Sequence, residues 1–124
     1  MAYKFKTAGE TEQILSDLEI KENLPWPTLI KLSLSLSIRG EPLADSDFLT
    51  DSTGRELNRP TATGEFDVLY KCLIELREKR HLTDDEFFPK YVKAHLDRGA
   101  VYLEREKKYA KDLLVHLSEL DKSI

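Results

Sequence analysis

Apolar residues recur at helical spacing in the first part of the chain. Ile14, Leu15 and Leu18 share one face of a helix predicted over residues 10–23. The Pro-Trp-Pro sequence at residues 25–27 ends that helix, because proline has no N–H to donate and restricts the residue before it. The second proline suits the first turn of another helix, where the missing donor costs nothing. The pattern therefore predicts two consecutive helices joined by a short turn.

The second half of the chain contains the clearest amphipathic pattern. A helix is predicted from a Thr63 N-cap to about Arg80, with one apolar face. The apolar positions of that face are Phe66, Leu69, Tyr70, Leu73 and Leu76. Thr83 and Glu86 have the spacing of a capping box, and Pro89 then bends or restarts the helix.

Two further apolar stripes predict helices toward the C-terminal end. The first stripe consists of Val92, Leu96, Gly99 and Leu103 and reaches about Lys107. Its glycine predicts close contact with another helix. The second stripe consists of Tyr109, Leu113, Leu117 and Leu120. The chain is thus predicted to be mainly α-helical.

Period-two alternation near the N-terminus predicts a short strand. Tyr3 and Phe5 fall on one side, and Lys4 and Lys6 fall on the other. No second convincing strand follows nearby, and an unpaired strand leaves its backbone groups without partners. Residues 3–7 are therefore either a frayed terminus or a strand paired with the same segment of another subunit.

The alternating leucines and serines of residues 32–38 allow two interpretations. Strict alternation favours a half-buried strand. However, Leu29, Ser33, Leu36 and Gly40 also describe a helical face whose small residues would admit another helix. Periodicity alone favours the strand.

Residues 41–63 are predicted to form a long loop. They include Pro42, Gly54 and Pro60 among many Asp, Ser and Thr residues. Loops of this length in a small domain are usually functional or mobile.

Composition sets limits on size, charge and compartment. The 124 residues are enough for one domain, residues 1–124, with 40% hydrophobic and 34% charged residues. The formal net charge of −4 argues against binding DNA by bulk electrostatics, so any contact needs a local basic patch or an oligomer. No membrane span or secretory signal is apparent, and the single Cys72 cannot form an internal disulfide. A cytoplasmic protein is predicted.

No motif points to catalysis or to a metal. His81, His95 and His116 are far apart and lack ligand spacing. Glycine-rich phosphate loops and nucleophile elbows are missing from the sequence. The acidic run at residues 84–86 is interpreted as helix capping. The sequence therefore predicts no catalytic residue, no metal site and no cofactor, and a protein that is not an enzyme on its own.

Some cations are interpreted as structural. Arg59 and Arg98 could each bind a phosphate, but pairing with a nearby carboxylate such as Glu65 or Asp97 is favoured. His95 is interpreted as a partly buried histidine that is hydrogen-bonded to the backbone or to a carboxylate.

Lys4 and Lys6 are the cations best placed for a nucleic acid. On the outward face of a strand, and repeated by symmetry in a dimer, they would form a compact positive ribbon. The order strand, helix, turn, helix is that of ribbon-helix-helix DNA binders, whose two-stranded ribbon from two chains enters a groove. The N-terminal half is therefore predicted to be ribbon-helix-helix-like, by analogy of fold alone.

Several segments, in this order and spacing, resemble the DndE family of DNA phosphorothioate-modification proteins. They are Lys4-Phe5-Lys6-Thr7, Trp26-Pro27-Thr28-Leu29-Ile30, Leu57-Asn58-Arg59, Thr63-Gly64-Glu65-Phe66-Asp67 and Lys93-Ala94-His95-Leu96-Asp97-Arg98-Gly99. The resemblance covers residues 4–118, nearly the whole chain.

This resemblance implies a compact helical subunit, a tetramer, that binds DNA with a preference for nicked duplex. It implies partners that activate sulfur and insert it into the DNA backbone, and it marks no catalytic residue. It also favours a helix over residues 32–38. Family members carry more basic residues near the end of the first helix, where this chain has only Lys21 in residues 17–22.

The resulting hypothesis is a non-catalytic, homo-oligomeric accessory component of DNA sulfur modification. Its predicted phosphate contacts are Lys4, Lys6, Lys21 and Lys31. Two alternatives stay open. One is a scaffold that bridges the sulfur-transfer and ATPase partners without touching DNA. The other is a transcriptional regulator of ribbon-helix-helix type.

Overall fold

The computed structural model describes residues 3–108 and Leu117. Its main elements in chain order are β1 Lys4–Lys6, α1 Gly9–Glu22, α2 Trp26–Ile38, β2 Glu56–Asn58, α3 Arg59–Ala62, α4 Asp67–Glu78 and α5 Val92–Lys108. Turns of 3-10 helix lie at Asp45–Phe48 and Gly64–Phe66, and a kinked segment, Glu86–Tyr91, leads into α5. The mainly α prediction is confirmed. The last predicted helix lies outside the described residues, apart from Leu117.

Helix α2 is surrounded by other elements, which explains why its alternating sequence is misleading. Ser33 and Leu34 are neighbours, and both are fully buried, because α1, α4 and α5 contact α2 on different sides. Ser33 Oγ donates to the carbonyl of Leu29 at 2.8 Å, so its hydroxyl is satisfied within the helix. Residues 32–38 are helical, as the resemblance implied and contrary to periodicity alone.

Strand β1 pairs with β2 of the same chain. The ladder is antiparallel and sets Lys4 opposite Asn58 and Lys6 opposite Glu56. Both predicted alternatives for residues 3–7, a frayed terminus and a strand paired with another subunit, are therefore wrong. The partner strand is too short to show a period in the sequence, and it lies within the segment predicted to be a loop. The order strand, helix, turn, helix is present, but the two-stranded ribbon comes from one chain.

Helices α2 and α5 make the most extensive contact between elements in the described part of the chain. Gly99 on α5 lies against Ser33 on α2, and a Cβ at Gly99 would overlap the Ser33 carbonyl oxygen. Leu29, Leu34 and Leu103 are completely buried nearby. The predicted close approach at Gly99, and the role of small residues on α2, are confirmed.

The predicted loop is more ordered than its composition suggested. It contains β2 and α3, and the side chain of Asn58 caps α3 by accepting from Thr61 N at 2.9 Å. Thr63 does not cap α4, contrary to the prediction. Its hydroxyl contacts the Asp67 carboxylate instead, because a 3-10 turn separates Thr63 from the helix.

Helix α4 forms where it was predicted, but most of its predicted apolar face is exposed. Tyr70 and Ile74 are buried, whereas Leu69, Leu73 and Leu76 remain accessible to solvent. The amphipathic pattern predicted the helix correctly. The structure places much of its apolar side away from the core of the chain.

The capping box and the apolar stripe of α5 agree with the prediction. Thr83 N donates to Glu86 Oε1 at 2.9 Å, and Glu86 N donates to Thr83 Oγ1 at 3.1 Å. Phe88 then adopts an extended backbone before Pro89, where the helix direction changes. Val92 and Leu96 on α5 are completely buried.

Candidate nucleic-acid interface

The strand lysines face solvent. Burial alternates along β1, so Phe5 enters the core while Lys4 and Lys6 are exposed. Lys4 Nζ lies 3.9 Å from Glu56 Oε2, and both side chains are more than half exposed. An ion pair this exposed contributes little to stability, so it does not prevent Lys4 from meeting a phosphate. The predicted outward placement of both lysines is confirmed.

The other two predicted lysines lie on different elements. Lys21 Nζ pairs with Asp17 Oδ2 at 3.0 Å, one turn earlier on α1. Lys31 Nζ, on α2, lies 5.3 Å from the centre of the Phe66 ring. Among residues 3–108, no contact links either lysine to those of β1. The structure thus offers one pair of neighbouring cations and two separate ones.

Arg55 is a cation that the sequence interpretation missed. Its carbonyl accepts from Thr7 N at 3.0 Å, which extends the β1–β2 ladder beyond Lys6. Its guanidinium stacks on Trp26 at the start of α2, 4.5 Å from the ring centre. Arg55 is exposed and has no ion-pair partner in the described part of the chain. It was overlooked because its segment was predicted to be a loop.

Arg59 is structural, as predicted, but its partners are not the predicted ones. Its guanidinium donates to Asp67 at 2.7 and 3.0 Å and to Asp84 at 2.8 and 3.0 Å, and not to Glu65. These hydrogen bonds lower the pKa of both aspartates. Because Asp84 lies far along the chain, Arg59 ties α3 and α4 to the segment before α5.

His95 and Arg98 form a buried polar network with α2. His95 Nδ1 lies 2.8 Å from Ser37 Oγ, and Arg98 Nε donates to the same oxygen at 2.9 Å. Arg98 also donates to the carbonyls of Ser37 and Glu41, both at 2.7 Å. The Ser37 hydroxyl thus accepts from Arg98 and lies within hydrogen-bonding distance of His95 Nδ1. Arg98 is therefore structural, as predicted.

The network keeps His95 neutral. Burial lowers the pKa of His95 to about 3, and the nearby Arg98 and Arg77 act in the same direction. His95 Nε2 lies 3.3 Å from Glu78 Oε2, and burial raises the pKa of Glu78. His95 is completely buried, whereas the sequence predicted partial burial.

The arrangement of Ser37, His95 and Glu78 resembles a catalytic nucleophile with its base, but solvent and substrate have no access to it. Ser37 and His95 are both completely buried, so a substrate cannot reach the serine oxygen in this structure. That oxygen also accepts a hydrogen bond from Arg98, which reduces its nucleophilic character. The trio joins α2, α4 and α5.

Asp97 forms a second buried junction. It accepts from Ala8 N at 3.1 Å, Thr11 Oγ1 at 2.6 Å, Thr50 Oγ1 at 2.7 Å and Lys93 Nζ at 2.7 Å. These hydrogen bonds hold the start of α1 and the loop around Thr50 against α5. Arg98 does pair with a carboxylate, as predicted, but its partner is Asp47 at 3.8 Å and not Asp97.

The remaining candidate sites are accounted for by structure. Glu86 belongs to the capping box, as predicted for the acidic run, whereas Asp84 pairs with Arg59 and does not cap the helix. Within the described ranges, no group of three or more His, Cys, Asp or Glu side chains could hold a metal ion. Across that same part of the chain, no helix has both the length and the apolar character to cross a bilayer.

Comparison with known proteins gives the family. The model of the family described as DNA sulphur modification protein DndE matches residues 4–111. The crystal structure of DndE from Escherichia coli B7A, involved in DNA phosphorothioation modification, superposes with a TM-score of 0.65 at 18% identity. That match covers 83% of this chain and 97% of the other. No match was found among curated protein sequences. Because the family model spans most of the chain, this protein belongs to the DndE family.

Proposed function

We propose that this protein is a non-catalytic accessory component of bacterial DNA phosphorothioate modification that binds nicked duplex DNA as a homo-oligomer. The observation that carries the proposal is the match to the DndE family over residues 4–111. The similar E. coli protein is itself described as involved in DNA phosphorothioation. Such a component acts in the cytoplasm, beside the proteins that activate and transfer sulfur.

The accessory role is supported by what the polar clusters do. The Ser37–His95–Glu78 contacts are sealed inside the fold, and Asp97 is saturated by donors. Asp84 is bound by Arg59. Each of these clusters joins helices or loops, and the carboxylates of Asp97 and Asp84 are held by donors of the fold.

DNA contact is supported by local charge rather than by total charge. Lys4 and Lys6 point outward from β1, and Arg55 lies next in the ladder. The net charge of −4 opposes DNA over the rest of the surface, so the attraction must come from the paired strands β1 and β2 and be strengthened by several copies. Lys21 and Lys31 are further predicted contacts on α1 and α2.

The first prediction concerns the two strand lysines. We expect the full-length protein to shift nicked duplex in a gel at low salt, and the affinity to fall steeply as salt increases. The double variant K4A/K6A should bind more weakly, and its salt slope should be smaller by roughly 0.9 for each phosphate that it no longer neutralises. The measurement is a titration of nicked and intact duplex at two salt concentrations.

The matched control removes a lysine elsewhere. Lys108 is exposed at the end of α5, so Lys108→Ala changes the charge without altering the paired strands β1 and β2. This variant should keep the slope of the unaltered protein. No binding at low salt by the unaltered protein would overturn the DNA role. Equal weakening in both variants would show that Lys4 and Lys6 do not contact DNA.

A scaffold without DNA contact is the second candidate. It is favoured by the ion pairs that partly neutralise Lys4 and Lys21 and by the acidic net charge. If this candidate is right, the sulfur-transfer and ATPase partners retain the protein in a pull-down even when Lys4, Lys6, Lys21 and Lys31 are changed to Ala. The same variant would then support the modification of DNA as well as the unaltered protein does.

A further inference from the structure

Helix α4 carries an apolar stripe that the described chain leaves uncovered. The exposed fractions are 74% for Val68, 52% for Leu69, 37% for Leu73 and 75% for Leu76. Cys72 is exposed between them. These five residues, which we call the α4 ridge, follow one another at helical spacing along one side. Single exposed apolar residues are ordinary, but a continuous stripe of five marks an interaction surface.

A groove runs along each side of the α4 ridge. One, of about 460 Å³, is lined by Tyr70, Leu73 and Leu76 together with Ser35 and Ile38 of α2. The other, of about 520 Å³, lies on the far side of the helix, with Cys72, Leu76 and Lys79 in its wall. A ridge between two grooves is the surface that a second helix needs in order to interlock with it.

We propose that the α4 ridge packs antiparallel against the α4 ridge of a second copy, around a two-fold axis close to Cys72. The inference rests on the homo-oligomer of the proposed function and names the surface that forms it. Two-fold symmetry makes such a contact self-complementary, because residues equally far before and after the axis meet. Val68 and Leu76 are equally far from Cys72, so Val68 of each copy meets Leu76 of the other on the two sides of the axis.

The charges at the two ends of the α4 ridge select the second copy as the occupant. Glu65 is exposed just before α4, and Lys79 is exposed at its C-cap. In the described part of the chain, neither side chain has an ion-pair partner. They flank opposite ends of α4, so an antiparallel contact brings the Glu65 end of one copy toward the Lys79 end of the other.

Leu117 does not cover the α4 ridge, because it lines a separate groove on α2 with Leu32 and Leu36. DNA is a poorer occupant, since a phosphate backbone gains nothing from the five apolar side chains, although Arg39 and Arg77 line the groove beside them. If a different protein covered the α4 ridge, there would be no reason for the charges at its two ends to be opposite.

The first test uses the single cysteine of the chain as a reporter. A short bismaleimide added to the full-length protein should link two copies through Cys72 in high yield at micromolar concentration. As a control, the double variant C72S/L49C carries its only thiol at Leu49, which is 80% exposed on another part of the surface. This control should give little linked dimer.

The second test breaks and restores the contact. Leu76→Glu places a charge in the α4 ridge, and we expect it to weaken self-association by roughly 100-fold. Ile20→Glu makes the same charge change at a site that is 81% exposed on α1, and it should leave the subunit mass unchanged. Either E65K or K79E should weaken the oligomer, and the double variant E65K/K79E should recover it. Mass is measured by analytical ultracentrifugation, and helix content by circular dichroism.

Each other outcome overturns the inference. A monomer with alkylatable Cys72 means that the α4 ridge stays uncovered, and a monomer with protected Cys72 means that the chain covers it with its own residues. An oligomer that survives L76E uses another surface. The gel shift is a separate measurement: failure to bind DNA with the oligomer intact contradicts the proposed function alone, and DNA binding by an oligomer formed elsewhere contradicts this interface alone.

Discussion

At the scale of single residues, buried polar side chains hold this small helical fold in one arrangement. His95, Asp97 and Arg98 lie close together on α5, and each bonds to a different part of the chain. The sequence indicated that His95 and Arg98 were structural. It could not name Ser37, Glu78 or Glu41 as their surroundings, because those residues approach only after α2 and α4 have packed.

The neutral state of His95 gives a prediction about pH. Its pKa is about 3 in the folded protein, against about 6.5 for an unfolded histidine, so the unfolded state binds an extra proton between these values. The free energy of unfolding should therefore fall on acidification below pH 6.5, by up to about 1.4 kcal/mol per pH unit from this group. The raised pKa of Glu78 offsets part of this decrease.

The measurement is chemical denaturation between pH 7 and pH 4.5. His95→Gln should flatten the dependence in this window, even though the variant is less stable at pH 7. His81→Gln is the matched control, since that side chain is fully exposed, and it should retain the slope. Asp67 and Asp84, whose pKa values are lowered by Arg59, reduce stability only at lower pH. Parallel curves for His95→Gln and the unaltered protein would contradict the assignment.

At the scale of elements, the helices could be predicted and their partners could not. The local signals for α1, α2 and α5 were apolar spacing, the proline turn and the capping box. Strand β2 gave no such signal, because one buried residue, Leu57, is all that distinguishes it from a loop. It becomes a strand by hydrogen bonding to β1, a partner far away in sequence.

The α2–α5 crossing supports a prediction at this scale. Gly99→Ala should destabilise the protein by about 3 kcal/mol or more, because the added Cβ overlaps the Ser33 carbonyl oxygen and the two helices must separate. Gly40→Ala is the comparison, since a Cβ there would lie 3.3 Å from the Ser37 carbonyl oxygen. Its effect should be far smaller. The measurement is the midpoint of thermal unfolding of each variant. Equal midpoints for the two variants would show that the α2–α5 crossing tolerates a side chain at Gly99.

At the scale of the whole molecule, charge and oligomerisation are linked. One copy has a net charge of −4 and, among its described residues, a small group of cations on the paired strands β1 and β2 and beside them. A second copy doubles the number of cations that a duplex can meet, and binding at two points is stronger than binding at one. DNA affinity should therefore depend on residues that never touch DNA.

This dependence can be tested with variants of equal charge. Leu76→Glu and Ile20→Glu each add one negative charge, so bulk electrostatics affects them alike. We expect L76E to bind nicked duplex at least about tenfold more weakly than I20E, because only L76E separates the copies. The measurement is a gel-shift titration at low salt. Equal affinities would show that one copy is sufficient for DNA.

The sequence by itself determined α1, α4 and α5, the proline turn and the capping box before α5, since these depend on residues within one or two turns of each other. It also led to the family, through ordered segments spread along the chain. Only the tertiary structure decided what those segments contact: the partner of β1, the carboxylates around Arg59 and the exposure of the α4 ridge. The physical reason is distance along the chain, because a periodic pattern shows that a face is apolar but not which surface covers it.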